Sequence, residues 1–441
     1  MESVDTIIAV ASGAGKSGVG VVRVSGPLAK KISEGILGAA PDERRATYKK
    51  FLSAEAETID SGIAILFLSP RSYTGEDTLE LQGHGGPAVL QAIVNRCLDL
   101  GARLAEPGEF TKRAFLNNKL DLVQAESVID VIEASSQQAV LAAQRSLSGK
   151  FSEAIEQIKN ELIEIRMYVE AGIDFPEEDL DLVGLKGIGG RLILLQDKIA
   201  KLVSEARRGR ALRDGITLAL VGPPNVGKSS LMNQLVGEDA SIVTNVPGTT
   251  RDTIFREISI DGYPIHIADT AGLRDTADLV EQLGIERTKK AIEQSDLIIN
   301  ISTHEGESYD EYELPKNPKN IHVINKIDKI GLPPSRTSSN GVDTISLSAK
   351  TGDGLDLLRE SILQAVGVGG SDEAAFTARQ RHIDALSRAG GFLDRAASSL
   401  SNLDICAEEL RYSQRSLSEI TGEFLADDLL GEIFSRFCIG K

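Results

Sequence analysis

Cysteine, positive charge and long apolar runs are all scarce in this chain, and each shortage excludes a class of protein. The 441 residues include three cysteines, Cys97, Cys406 and Cys438. They are too few and too scattered for a zinc cluster or a disulfide framework, which suits a reducing compartment. No stretch approaches the ~20 apolar residues of a membrane span, and the N-terminus lacks a basic region followed by an apolar core. The expectation is a cytoplasmic protein with no membrane span. Acidic residues number 65 against 48 basic ones, for a net charge of -17. That excludes a broad, non-specific grip on nucleic acid, which phosphate neutralisation would have to supply. A nucleic-acid substrate would need a local basic patch or a partner carrying the positive surface. Hydrophobic content of 41% and charged content of 26% are ordinary for a globular protein, and the length suggests about three domains.

What is present is a set of nucleotide-binding motifs. An apolar run, 216–221, leads into GPPNVGKSS, 222–230, and an amphipathic run, 231–235, leads out. Strand, glycine-rich loop and helix in that order make a phosphate-binding P-loop. Gly222 and Gly227 let the backbone wrap a polyphosphate closely, and the helix start aims unpaired N–H groups at the anion. Asn225, Val226, Gly227, Lys228, Ser229 and Ser230 are assigned to GTP on this basis. Lys228 reaches the outer phosphates as a catalytic residue, and Ser229 ligates magnesium. NKID, 325–328, follows a strand-like run at 321–324 and supplies Asn325, Lys326 and Asp328. An amide and a carboxylate there read guanine, because Asp328 accepts from the N1–H and exocyclic amine of that base and would be left unpaired by adenine. Between them lies DTAG, with Asp269 holding the magnesium shell, Thr270 and Ala271 beside it, and the Gly272 N–H sensing the terminal phosphate. Ser348, Ala349 and Lys350 complete a base-binding loop. Any one of these motifs arises by chance in a structural α/β domain; the ordered set does not.

GAGKS, 13–17, imitates half a P-loop, yet the first glycine of the pattern falls at Val10 and the following GVGVVRVSG alternates like a strand. No helix N-terminus is offered, so it is rejected as a second nucleotide site. Residues 1–118 mix strand-like runs at 6–10, 19–24, 62–68 and 78–82 with glycine-rich turns and a helix at 88–100, an α+β pattern. From 120 to 210 apolar residues recur every three or four positions, which predicts long helices. A G domain occupies 214–368, and helical text resumes over 371–437. The fold class is multidomain α/β. Two helical stretches around a complete α/β unit fit either a G domain inserted in one helical domain or two separate helical domains, since whole-domain insertion at a loop tip is tolerated.

Leu273 stands where many GTP-hydrolysing switches carry a glutamine that orients the attacking water. An apolar side chain cannot hold water, so another device is needed. Asn225 offers a side-chain oxygen near the α and β phosphates, and SIVTNVPGTTRD, 241–252, is long enough to wrap its carbonyls round the same spot. A monovalent cation there neutralises charge where an arginine finger acts elsewhere. Thr244, Asn245, Val246, Pro247, Gly248, Thr249 and Thr250 of this segment are assigned to GTP, with Thr250 as second magnesium ligand and catalytic residue. Glu281, in the acidic run 274–284, is the catalytic residue placed to order water through a second water; composition alone favours a solvated helix face. Asn225 also suits a turn that needs unusual dihedrals.

Three further stretches carry a resemblance: YTGEDTLELQGHGGP, 73–87; GEFTKRAFLNNKLDLVQAE, 108–126; and the terminal CIGK, 438–441. With them the chain resembles, over essentially its whole length, the MnmE (TrmE) family of tRNA modification GTPases. Residues 11–20 depart from it, lacking the proline pair of the family's first loop. The resemblance implies an N-terminal α+β tetrahydrofolate-binding and dimerisation domain at 1–118. It implies a helical domain made of 119–213 and 371–441, with an inserted P-loop G domain of mostly parallel sheet at 214–368. It also implies a homodimer and a potassium-stimulated GTPase in which Asn225, Thr244, Val246 and Thr249 cradle potassium and Glu281 orders water. Further implied is a heterotetramer with an FAD-binding MnmG-type partner, the FAD staying on that partner. Together they would add a carboxymethylaminomethyl or aminomethyl group at carbon 5 of the wobble uridine of certain tRNAs, held largely with the partner. The one-carbon unit would come from 5-formyltetrahydrofolate or a related tetrahydrofolate. By matched position Arg23, Glu80, Lys119 and Lys441 line the folate site, and Cys438 lies near the one-carbon chemistry.

The chemistry of these residues is compatible with that site: Glu80 accepts from a pterin while Arg23 or a lysine meets an anionic or carbonyl group. Plainer readings stand beside it. Arg23 suits a strand edge, Lys119 a helix start, Cys438 a small buried side chain, and His84 a turn satisfied by backbone with no chemical role. A competing reading of the whole chain is a regulatory GTPase acting on ribosome or membrane assembly. The acidic balance, with no evident basic helix, counts against it.

Overall fold

A computed structural model describes residues 5–174, 182–239, 255–268, 292–293, 295–304, 319–339, 341–368, 376–423, 427–435, 437 and 440. Contacts divide the chain into two units, 1–129 with 417–441, and 130–416. In the first, β1 (Ile7–Val10), β2 (Ser17–Ser25), β3 (Thr47–Leu52), β4 (Thr58–Phe67), β5 (Thr78–Gly85) and β6 (Arg103–Leu104) form one sheet ordered β3-β4-β5-β2-β1-β6. Only the β1–β6 pairing is parallel among these. The imitation P-loop runs straight into β2, as its alternation requires.

Period-two alternation sends successive side chains of β2 to opposite faces. Val22 and Val24 are fully buried in a core shared with Leu79 and Leu81 of β5. Ile32 and Ile36 of α1 (Ala29–Leu37) and Ile93 of α2 (Pro87–Asp99) close that core. Arg23 lies on the other face, where Ile7, Ala9 and Phe110 form a second cluster under α3 (Glu109–Leu116). Helices α1 and α3 and strand β3 are additions to the elements expected from sequence.

Arg103 and Arg113 tie this unit together. Arg113 pairs with Asp5 at 2.7 Å, Glu109 at 2.9 Å and Glu76 at 3.1 Å, while Arg103 reaches Glu109 at 2.6 Å. Burial alone raises the pKa of Glu109, but Arg103, the Glu106 N–H and Arg113 outweigh it and hold the carboxyl below the usual range.

The helix α4 (Leu122–Glu133) leads into the second unit, where α5 (Gln137–Leu147), α6 (Lys150–Asp174) and α7 (Leu182–Asp214) follow. Ile155, Ile158, Leu162 and Ile165 make the buried stripe of α6, at the three- and four-residue spacing of one helix face. The α/β module then begins. Its strands β7 (Ile216–Val221), β8 (Phe255–Ile260), β9 (Tyr263–Ala268), β10 (Leu297–Thr303), β11 (Lys319–Asn325), β12 (Ser335–Ser339) and β13 (Val342–Ser346) are ordered β12-β13-β11-β10-β7-β9-β8. The five central strands are parallel, and β8 and β12 are antiparallel edges. Covering helices include α8 (Lys228–Asp239) and α9 (Leu355–Ala365). The strands are rich in Ile, Leu and Val because a parallel sheet is buried on both faces.

The chain returns to helix in α10 (Gln380–Ser398) and α11 (Leu403–Thr421), and α10 packs along α7. The two connections to the module meet at one side chain. Asp130, its side chain 4% exposed, accepts from Arg213 Nε at 2.7 Å on the outgoing connection. It also accepts from Thr377 Oγ1 at 3.1 Å and Arg379 Nη2 at 2.9 Å on the incoming one. Buried Ser146 braces the Thr377 backbone. Finally α12 (Asp427–Ser435) joins the first unit, where Leu430, Phe434 and Phe437 pack on Leu122, Ala125 and Ile129. Gly108 sits at φ +66 so close to Phe434 O and Phe437 that a Cβ would collide with them.

Two outcomes follow. Because the folded pKa of Glu109 is depressed, its stabilisation is complete above its unfolded value, about pH 4.3, and is lost as pH falls through the folded value. Glu109→Gln should therefore flatten the acid limb of the stability–pH curve, and an unchanged limb would contradict the assignment. Asp130→Ala leaves two guanidinium groups without their buried carboxylate and should destabilise the second unit by about 3 kcal/mol. Thermal unfolding and proteolysis near 209–215 and 376–379 would report it; wild-type behaviour in both would count against the clamp.

Candidate functional site

Parallel strands β7 and β11 flank β10, so the loops after their C-terminal ends reach the same sheet edge. After β7 the chain turns at Gly222, where φ is +152 and a Cβ would collide with Ile301 O. Asn225 takes a left-handed φ of +60, which asparagine tolerates, and is exposed. Val226 is buried, whereas Ser229 and Ser230 at the start of α8 are exposed. Lys228 opens that helix and folds its ammonium over the loop, donating to Gly222 O at 2.8 Å and Pro223 O at 2.9 Å. Those carbonyl contacts occupy donors that phosphate oxygens would take.

Asn325, 3% exposed, binds three loops with one amide. Its Nδ2 donates to Val226 O at 2.9 Å, and its Oδ1 accepts from Ala349 N at 2.9 Å and Lys326 N at 2.7 Å. The amide assigned from sequence to the guanine edge is thus engaged with backbone through both its atoms. Lys326, at φ +68, turns its side chain back to donate to Asn225 O at 2.6 Å. Asp328 is exposed and oriented by buried Ser348, whose Oγ donates to Asp328 Oδ1 at 2.8 Å. The Asp353 carbonyl accepts from Ser348 N at 2.9 Å and fixes that loop, while Lys350 is exposed. Thr244, Asn245, Val246, Pro247, Gly248, Thr249, Thr250, Asp269, Thr270, Ala271, Gly272 and Glu281 lie outside the described residues, as do Cys438 and Lys441.

A second constellation occupies the first unit. Arg23 and Glu80 face each other across β2 and β5, with Nη2 2.9 Å from Oε1. The guanidinium carbon sits 5.4 Å from the Tyr73 ring centre and 5.8 Å from that of Phe110, within cation–π range. Burial pushes the Tyr73 phenol up, against the opposing effects of Thr111 and Arg23. Beside this pair is a cavity of about 440 Å³ lined by Arg44, Phe67, Arg71, Ser72, Tyr73, Thr78, Glu80 and Lys119. Lys119 Nζ donates to Pro70 O at 3.1 Å.

Sequence reasoning gave Glu80 and Lys119 to one site and missed Arg44, Arg71 and Phe67. Tyr73 and Thr78, inside a quoted motif, had a local signal. His84 is held differently from expectation. Its Nδ1 lies 2.7 Å from Asp60 Oδ1 and its N–H donates to Asp60 Oδ2, so a carboxylate satisfies it. Cys97 is fully buried, and burial pushes its thiol up to about 12. Among the described residues no cluster of three or more His, Cys, Asp or Glu could hold a metal, and no helix is long and apolar enough to cross a membrane.

Gly227, at φ +108, has no room for a Cβ, which would collide with Asn325 Nδ2. Gly227→Ala should displace that amide and weaken guanine nucleotide binding at least about tenfold, since a buried polar group left unsatisfied costs ~1–3 kcal/mol. Asp328→Asn should weaken GTP and admit the xanthosine nucleotide. Unchanged affinities in fluorescent-nucleotide titrations would contradict both roles.

Residues 6–119 match a family model described as the GTP-binding protein TrmE N-terminus, and residues 122–438 match one described as the MnmE helical domain. The tRNA modification GTPase MnmE of Chromobacterium violaceum is 51% identical over 445 residues, covering 99% of this chain and 98% of that protein. The Thiobacillus denitrificans protein of the same name is 52% identical over 441 residues, with 99% and 98% covered. Among solved structures, the G domain of the T. maritima FeoB iron transporter is 27% identical, covers 34% of this chain and 98% of that one, and superposes with a TM-score of 0.26. Two family models that together span nearly the whole sequence, and relatives at half identity over its full length, agree with a P-loop module inserted between helical stretches. The chain belongs to the MnmE family of tRNA modification GTPases.

Proposed function

We propose that this GTP-hydrolysing enzyme is activated by potassium and works as a homodimer with an FAD-binding MnmG-type partner in the cytoplasm. The pair would install an aminomethyl or carboxymethylaminomethyl group on the wobble uridine of certain tRNAs from a tetrahydrofolate one-carbon unit. One observation carries the reading. A single chain combines a P-loop tied to the NKID and SAK loops, Leu273 standing at the usual glutamine position, with a separate cavity bearing Glu80 and Lys119 beside Arg23. The proposed domains are 1–118, 119–213 with 371–441, and 214–368.

In this scheme Lys228 exchanges its loop carbonyls for phosphate oxygens and neutralises the outer phosphates. Asp328, aligned by Ser348, accepts from the guanine edge, and Asn325 keeps the two loops in register. The exposed Ser229 hydroxyl, with Thr250, holds magnesium, whose hard oxygen preference suits them. Asp269 supports its shell and Gly272 meets the terminal phosphate. Asn225 presents its side chain from a left-handed turn, and with Thr244, Val246 and Thr249 it makes an all-oxygen donor set fit for an alkali ion. Bound potassium supplies fixed positive charge where negative charge develops between the phosphates. Glu281 orders the attacking water, replacing the missing amide.

The cavity fits a folate head in volume and chemistry. It is in the size range of small-molecule sites, with Tyr73 and Phe67 as aromatic wall, Glu80 as acceptor and Lys119 as cation. A bound tetrahydrofolate supplies the one-carbon unit. Lys441 would complete the site, and Cys438 would stand near that chemistry.

GTP turnover in potassium should exceed that in sodium at least about tenfold, and Asn225→Ala should abolish the difference, given ~10²-fold losses when one stabilising donor is removed. Equal rates in the two salts would sink the cation mechanism.

A further inference from the structure

The mouth of the 440 Å³ cavity carries more positive charge than its neighbours balance. Within the site Arg23 and Glu80 cancel at 2.9 Å. At the rim stand Arg44, Arg71 and Lys119, of which Arg71 pairs with Glu43 at 2.8 Å. Arg44 makes a 3.4 Å contact to the Arg71 carbonyl, and Lys119 bonds a carbonyl, that of Pro70. Three cations against one carboxylate leave an excess of two positive charges on a chain whose net charge is -17. Arg44 is also held in an unusual conformation. Its φ is +57, a left-handed value that is uncommon for arginine, and its N–H is fixed by Leu66 O at 2.7 Å. Such strain persists only where surrounding structure imposes it, and it gathers at binding sites.

Resting on the folate reading of this cavity, we infer that Arg44 and Arg71, with Lys119, form a subsite for the poly-γ-glutamate tail of a tetrahydrofolate, so that the physiological ligand is the polyglutamylated form. The head fills the cavity and the tail must leave through its exposed mouth. Each added γ-linked glutamate brings one more carboxylate there. Guanidinium groups take carboxylates through two parallel hydrogen bonds, which favours an extended anionic chain over a single charge. The rim pairs are exposed, so each is worth on the order of a two- to fivefold gain in affinity.

The test is calorimetric titration of the full-length protein at low ionic strength with 5-formyltetrahydrofolate carrying one, three or five glutamates. The triglutamate should bind roughly fivefold more tightly than the monoglutamate, and the gain should shrink with salt. The double variant R44Q/R71Q, its fold checked by thermal melting, should lose the gain. Glu43→Gln, which frees Arg71 from its competing carboxylate, should enlarge it. If the monoglutamate binds but tail length makes no difference, the tail subsite is refuted while the folate reading stands. Failure of every folate to bind overturns both. A tail-length gain that persists in R44Q/R71Q, with weakened tRNA binding in a filter assay, would assign the cations to RNA phosphates instead.

Discussion

One side-chain amide organises the nucleotide site. Asn325 donates to the P-loop at Val226 and accepts from the backbone at Ala349, so three loops that leave different strands become one rigid surface. Its burial makes both bonds count, because in a low-dielectric site an unmade hydrogen bond costs more than a made one gains. Lys326 adds a second tie to Asn225, and Gly227 leaves no space between loop and amide. The P-loop and the loops after β11 and β13 are therefore mechanically one surface. The order follows from topology: parallel strands present their C-terminal loops on the same edge, and the amide reaches across the end of β10 to the P-loop and to the loop of the adjacent β13.

The first unit uses a simpler device. Alternation along β2 separates an apolar face, Val22 and Val24, from a face carrying Arg23, and the register with β5 sets Glu80 opposite. Tyr73 and Phe110 then enclose the guanidinium. A charged pair is thereby held at the edge of a cavity without entering the core, and its charges cancel locally. The remaining cations of the rim are left to act on whatever the cavity holds.

What the sequence discloses is what local physics encodes. Gly222, Gly227 and Lys228 stand at fixed spacing after an apolar strand, so the P-loop is legible residue by residue. The rejected imitation at 13–17 proves to precede β2 because alternation overrides a short glycine pattern. The placement of Asp328 just after β11 is likewise readable. The role of Asn325 as a brace is not, since its partners are 99 and 24 residues away. Arg44 and Arg71 gave no signal, being arginines in exposed turns. The Asp130 cluster joins residues up to 249 apart, and the packing of Phe434 beside Gly108 shows only once the chain has closed on itself. Helices 29–37 and 109–116 escape sequence reading because, at nine and eight residues, each is too short to show a helical period.

The clustering of Arg213, Thr377 and Arg379 on Asp130 has a mechanical consequence. An insertion fastened at two distant points would spread any displacement over its host as strain along both connections. With both connections gathered on Asp130, and Arg210 of α7 paired with Asp296 at 2.8 Å, the α/β module is fastened to its host along one side. The outgoing and incoming connections therefore cannot part without stripping a buried carboxylate of its partners.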